Sequence, residues 1–234
     1  MRKIKLENNT FYHVYNRGAN QNDIFFSEKD YFKFLFQMRE LNNESTYSKR
    51  QYIKNKIQNN DDQSGPASST RGWAALISFA HPQYIHYLNT LPKLVEIISY
   101  CLNHNHFHFI LKQITNNGIK KFMHKLGTGY VGYINSKYKW RSGVLFERNF
   151  EAYPIHSINK LLYLSAYVNC NAEVHRQYEA REYMWSSYRD FLGLRQGTLC
   201  NKKEILSRFR NIDDYENFCA KVVLEASAKK FFEK

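Results

Sequence analysis

The order of hydrophobic and polar residues divides the first part of the chain into three regions. Alternating aromatic and β-branched residues predict a strand from Phe11 to Asn16, which Arg17-Gly18 ends. Ser27 is a suitable N-cap for a helix that runs to about Asn43, because apolar residues recur at helical spacing after it. Residues 54–72 are polar and turn-forming, which predicts a mobile insertion.

The pattern in the rest of the chain predicts a β-hairpin, one further strand and three helical segments. The segment from Trp73 to Asn89 is apolar without a clear period, and its structure stays open. The predicted elements are a strand over Leu94–Leu102, a turn at Asn103-His104-Asn105, a strand over Phe107–Leu111, a basic helix over Ile119–Tyr138, a strand over Val144–Ile155, a helix capped by Ser157 and reaching about Asn171, and a helical tail from Lys202.

Hairpins mixed with helices favour an α+β fold, in which helices pack on one face of an antiparallel sheet. We expect one domain over residues 1–200, with residues 201–234 as a C-terminal helical extension.

The composition points to a polyanionic partner. Lys and Arg number 34 against 21 Asp and Glu, a formal net charge of +13. The excess positive charges repel one another in a compact protein, which indicates a negatively charged partner. Nucleic acid is the first candidate and an acidic membrane surface the second, although the charge can also serve solubility alone. The four cysteines are far apart and form no C-x-x-C pair, which suits a reducing compartment. No apolar run approaches the ~18 residues of a membrane span. We therefore expect a cytoplasmic, nucleoid-associated protein without a membrane partner.

Two histidines on the predicted hairpin are candidate metal ligands. Residues two apart on a strand point to the same face, so His106 and His108 project together while Phe107 and Phe109 face the other way. Two adjacent imidazoles can share a divalent cation. Two ligands alone make an incomplete site, so a pair of unrelated surface histidines is the alternative interpretation. His104 is a weaker candidate, because it lies in the turn.

A row of polar residues on the helix after Ser157 provides a candidate nucleophile. Tyr163, Tyr167 and Asn171 are spaced i, i+4, i+8, which places them on one arc of a helix. A phenol and an amide one turn apart can point into the same cleft. With 18 tyrosines in the chain, surface tyrosines are the alternative.

Five segments in order resemble the HUH-type single-tyrosine transposases, closest to their REP-associated tyrosine transposase branch. These segments are Tyr12–Gly18, Tyr100–Leu111, Ser142–Phe150, Tyr167–Asn171 and Trp185–Tyr188. The resemblance implies a ferredoxin-like sheet, with His106, His108 and Asn171 as metal ligands and Tyr167 as the nucleophile. The chain departs from the family where Asn103-His104 replaces a common Met-Pro, and where Ala172 replaces a common proline.

The resemblance further implies an enzyme that nicks and rejoins single-stranded DNA at or near hairpins, through a covalent 5′-phosphotyrosine. Mg²⁺ is the expected cofactor, with Mn²⁺ as a substitute, and the protein is expected to be a monomer or homodimer. A domesticated relative that binds hairpin DNA without cutting it is the main alternative, and an RNA-binding structural protein the second. A zinc deaminase is excluded because H-x-E and P-C-x-x-C are absent, and a zinc finger because paired cysteines are absent.

Basic residues near the candidate site in sequence are predicted DNA contacts. Tyrosines and a tryptophan are interleaved with them, a mixture that suits phosphates and unpaired bases, although the rings of Tyr130 and Tyr133 can equally face the core. The predicted contacts are Arg17, Lys120, Lys121, Lys125, Lys137, Lys139, Arg141 and Arg148.

Overall fold

The computed structural model describes residues 5–44 and 82–232. The predicted insertion at 54–72 lies outside these residues, and so does the first half of the segment from Trp73. Its second half forms a helix, α2 (Pro82–Thr90). In the described residues no helix is both long and apolar enough to cross a membrane.

Four antiparallel strands form the centre of the protein. They are β1 (Phe11–Arg17), β2 (Val95–Asn103), β3 (His106–Gln113) and β4 (Glu151–Ile155), in the order β2-β3-β1-β4. This is the strand order of a ferredoxin-like sheet, and the predicted α+β class is confirmed. In the register, Tyr15 of β1 lies opposite His108 and Arg17 opposite His106.

One face of the sheet packs against the two long helices that connect its strands, α1 (Glu28–Glu40) and α3 (Gly118–Lys137). Successive side chains of a strand point to opposite faces of the sheet, so Phe107, Phe109 and Leu111 all point to this face and form part of its core. Tyr12 and Val14 of β1 join the same core. The predicted helical layer on one face is therefore present.

The opposite face carries a second helical layer that the sequence did not reveal. It contains α4 (Ile158–Asn169), α5 (Asn171–Val174), α6 (Tyr188–Phe191), α7 (Lys203–Leu206) and α8 (Ile212–Phe232). Leu161 and Val168 of α4 pack with Ile98 and Ile110 of the sheet and with Tyr215 of α8. The C-terminal helix thus shares a core with α4.

Two predicted element boundaries are wrong. The strand predicted over Val144–Ile155 begins only at Glu151. Before that point the chain crosses the end of β1 with a single bridge between Gly18 and Phe146. The helix predicted to run from Ser157 to Asn171 ends at Asn169, and Asn171 begins the separate short helix α5 after a break at Cys170.

Candidate active site

Three histidines meet on the sheet face that α4 covers. His106 and His108 point away from the Phe107 side, as the alternation predicts, and their ring centroids lie 5.2 Å apart. His13 of β1 joins them, with Nε2 3.0 Å from Nδ1 of His108 and the two rings stacked at 5.1 Å. The face is therefore an imidazole cluster contributed by adjacent strands.

Both ring nitrogens of His106 have hydrogen-bond partners. Nδ1 of His106 lies 2.6 Å from Oδ1 of Asn105, which can only accept, so Nδ1 carries the proton. Nε2 of His106 is then the acceptor for Nδ2 of Asn103, at 2.9 Å. A histidine that donates through one nitrogen presents a lone pair on the other, as in protein metal sites.

Asn171 reaches the same point from the opposite layer. Its Oδ1 lies 3.4 Å from Nε2 of His106 and accepts a hydrogen bond of 2.7 Å from Nδ2 of Asn103. Although Asn171 is not on one continuous helix with Tyr167, the break at Cys170 still directs its side chain to the sheet. Its Nδ2 is buried without a well-formed hydrogen bond. The predicted third ligand therefore lies beside the predicted first one.

Tyr167 faces the imidazole cluster edge-on. Its ring centroid lies 6.1 Å from that of His108 and 6.4 Å from that of His13. Burial raises the pKa of the Tyr167 phenol above its ordinary value near 10, and the amide of Asn171 acts in the opposite direction. A phenol in this setting ionises only with help from nearby positive charge.

The donor set suits a divalent cation. The amide oxygen of Asn171 lies 3.4 Å from Nε2 of His106, and the His108 ring lies 5.2 Å from the His106 ring. Mixed sets of imidazole and amide donors bind first-row divalent metals. Within the described ranges, no group of three or more His, Cys, Asp or Glu side chains could hold a metal. A cation at this point would thus depend on the Asn171 amide as well as on the two histidines.

Four residues of this site, His13, Tyr15, Asn103 and His175, were not predicted from the sequence as site residues. Side-chain alternation along β1 places His13, Tyr15 and Arg17 on one face of the strand. The sequence does not tell that β1 pairs with β3, so it could not show that this face lies beside His106 and His108. Burial, and secondly the charge of Lys160, lower the pKa of His13 to about 4. The other missed residues are Asn103 and His175, whose ring centroid lies 5.0 Å from that of His106.

The predicted DNA contacts fall into separate groups. Arg17 and Arg148 lie at the site, where both pair with Glu147 at 3.0 and 3.3 Å. Lys120, Lys121 and Lys125 lie on α3, which packs on the opposite face of the sheet. Lys139 and Arg141 follow the end of α3, and Lys137 is its last residue.

Lys137 has a structural partner. Its Nζ lies 2.6 Å from Oδ1 of the fully buried Asp30, so its charge neutralises a carboxylate of the core rather than projecting toward the imidazole cluster. The hydroxyls of Tyr133 and Tyr138 donate to the same carboxylate, and that of Tyr130 donates to the Ile24 carbonyl. For these three tyrosines the structure supports the core interpretation.

Comparison with known families gives one match by sequence. Residues 82–171 match the family model described as IS200-like transposase. Over this segment the chain is similar to IS200-like transposases. The segment contains His106, His108 and Tyr167, and it ends at Asn171, so the recognised resemblance is confirmed where the site lies. The matched segment begins after β1, which supplies His13.

Two further comparisons add little to the IS200-like match. No curated protein matches the chain. A solved structure of a REP-associated tyrosine transposase bound to a REP hairpin covers 82% of this chain and 84% of its own, with 9% sequence identity and a TM-score of 0.44. No functional conclusion follows from a likeness at this level.

Proposed function

We propose that the protein is a metal-dependent transposase that nicks and rejoins single-stranded DNA at or near hairpins, with Tyr167 as nucleophile. One observation carries the proposal: the Tyr167 ring faces His108 at 6.1 Å on the same sheet face where Asn171 Oδ1 approaches His106 Nε2 at 3.4 Å. A phenol beside a histidine-amide donor set is the arrangement that covalent phosphoryl transfer needs.

In the proposed reaction, the Tyr167 oxygen attacks the scissile phosphorus and the bond from phosphorus to the 3′ oxygen breaks. The phenol proton is lost, the departing 3′ oxygen gains a proton, and the 5′ phosphate remains on Tyr167. His106, His108 and Asn171 would hold Mg²⁺ or Mn²⁺, which supplies positive charge beside the phosphate. Attack by another 3′-hydroxyl reverses the step, so cut ends can be rejoined without ATP.

The single strand would cross the site along β1 and β4. The rings of Tyr15 and Tyr153 lie parallel at 6.1 Å, and Tyr15 is 5.4 Å from His108. Tyr153 is 50% exposed, so its face is accessible to an unpaired base. Arg148, with a side chain 69% exposed, lies nearby to contact the DNA backbone.

A covalent-capture assay tests the proposal. Wild-type protein is incubated with a labelled single-stranded hairpin oligonucleotide and MgCl₂ or MnCl₂, and run on a denaturing gel. We expect a protein–DNA adduct that Tyr167→Phe abolishes. Tyr163→Phe, one turn earlier on α4, is the matched control and should retain the adduct.

The main alternative predicts a different result. A hairpin-binding protein without cleavage activity would bind the oligonucleotide in solution, yet form no adduct with either metal. An adduct that persists in Tyr167→Phe and disappears in Tyr163→Phe would instead move the nucleophile by one helical turn.

A further inference from the structure

The amide of Asn103 occupies the point between two proposed metal ligands. Asn103 is the last residue of β2 and is fully buried. Its Nδ2 donates to Nε2 of His106 at 2.9 Å and to Oδ1 of Asn171 at 2.7 Å. These two atoms carry the lone pairs that a cation would take, and in the structure the NH₂ group of Asn103 is their hydrogen-bond donor.

The three side-chain atoms have the spacing of a coordination shell. Nε2 of His106, Oδ1 of Asn171 and the Asn103 amide atom form a triangle with sides of 2.7, 2.9 and 3.4 Å. Ligands at ~2.1 Å from an octahedral cation lie roughly 3 Å from their neighbours. The triangle therefore has the size of one face of such an octahedron, and Asn103 provides its third corner.

Which amide atom faces the cation decides the role of Asn103. The NH₂ group cannot bind a metal, whereas the amide oxygen is a good ligand for Mg²⁺ and Mn²⁺. In the structure the oxygen points the other way and has the thiol of Cys101 at 3.8 Å, a weak partner. A half-turn about the Cβ–Cγ bond exchanges the two atoms. The oxygen gives up only the weak contact to Cys101, and a cation replaces the NH₂ group at the lone pairs of His106 and Asn171.

We propose that Asn103 is a fourth protein ligand of the metal, and that its amide turns to present oxygen when the cation binds. This inference rests on the proposed function, since it adds to the His106, His108 and Asn171 set. Four protein ligands leave two positions of an octahedral shell, enough for a phosphate oxygen and one water.

The test measures binding of MnCl₂ to the full chain, without DNA and without turnover. Electron paramagnetic resonance gives the affinity, and water-proton relaxation gives the number of waters on the bound ion. Asn103→Ala should weaken Mn²⁺ binding about tenfold or more, by analogy with ligand-shell substitutions. It should also add one exchangeable water, because the vacated position can be filled by solvent. Asn103→Leu, which excludes that water, should weaken binding further.

A matched control separates ligation from packing. Asn42 is also a buried amide and bonds to the backbone of Val95 at the other end of β2, so Asn42→Ala should change neither affinity nor hydration. Thermal unfolding of each variant verifies that it is folded.

The outcomes distinguish this inference from the proposed function. Unchanged affinity and hydration in folded Asn103→Ala would overturn the ligand assignment while leaving the other three ligands in place. Tighter binding in Asn103→Leu would also overturn it, because Asn103 would then compete with the metal. If wild type binds Mn²⁺ no better than His106→Ala, the metal site itself is wrong and both proposals fail.

Discussion

The contact between His13 and His108 determines how a cation could approach the cluster. Since Nδ1 of His108 is engaged by His13 at 3.0 Å, Nε2 is the nitrogen through which His108 would bind a metal. His106 is oriented in the same way by Asn105, at 2.6 Å. Each proposed imidazole ligand therefore has a partner that selects its reactive nitrogen.

Replacing His13 should weaken metal binding without removing a ligand. We expect His13→Leu to lower Mn²⁺ affinity by about 10- to 100-fold, because the His108 ring loses the partner that orients it. Titration of the protein with MnCl₂ measures the change, and covalent capture should recover at higher metal concentration. His13→Gln, which keeps a polar group at this position, should lose less.

The exposed His156 provides the control for this experiment, because it lies just beyond β4. His156→Leu should bind Mn²⁺ like wild type. Equal affinities for His13→Leu and wild type would show that His13 is a packing residue.

At the scale of elements, sequence periodicity was enough for β1, the β2–β3 hairpin and α3. It failed between Val144 and Phe150, where aromatic and β-branched residues suggest a strand. There the backbone bonds to the end of β1 instead: Glu147 donates to the Arg17 carbonyl, and the Leu145 carbonyl accepts from Ala19. These bonds depend on distant chain segments, so no local pattern reveals them.

The same limit explains which site residues were foreseen. His106 and His108 were predicted from their spacing on one strand, and Tyr167 and Asn171 from their i, i+4 spacing, in each case together with the family resemblance. Asn103 was noticed only as a departure from the family, because its hydrogen bond to Asn171 spans 68 residues of sequence.

The edge strand β4 should contribute to DNA binding through Tyr153. Removing an exposed ring that stacks on a base costs about 1–3 kcal/mol. We therefore expect Tyr153→Ala to weaken binding of a fluorescent single-stranded oligonucleotide, measured by anisotropy at fixed salt, whereas Tyr153→Phe retains it.

Phe32 offers a comparable aromatic ring away from the site. It is 52% exposed and lies on α1, in the helical layer on the other face of the sheet. An equal loss of affinity in Phe32→Ala and Tyr153→Ala would count against a specific path along β4.

At the scale of the whole molecule, Asp30 joins α1 to the C-terminal end of α3. Its carboxylate accepts hydrogen bonds from the Phe26 amide, Tyr133, Tyr138 and Lys137, at 2.6 to 2.9 Å. Burial raises the pKa of Asp30, but these donors outweigh it and the pKa is lowered. The ionised form is thus favoured in the folded protein.

The stability that Asp30 provides should depend on pH. Because its pKa is lower when folded than when unfolded, the contribution is complete above the unfolded value near ~4 and is lost as the pH falls through the folded value. Asp30→Asn should destabilise the protein by about 3 kcal/mol or more at pH 7, since it leaves Lys137 without its partner. Thermal melts between pH 3 and 7 should show a smaller difference at the acidic end.

Asp214 of α8 provides the control, because its partner Arg210, just before the helix, is 87% exposed. Asp214→Asn should change the melting temperature little at any pH. A pH-independent effect of Asp30→Asn would show that shape and not charge matters at this position.

One hydrogen bond joins the C-terminal helix to the end of α4, close to Tyr167. Tyr215 of α8 accepts a hydrogen bond of 2.7 Å from the amide of Asn169, which lies two residues after Tyr167. A proteolytic nick or a truncation before residue 212 would leave that amide without its partner inside an apolar core. Loss of the tail would then disturb the end of α4 that carries Tyr167, whose ring lies beside His13 and His108.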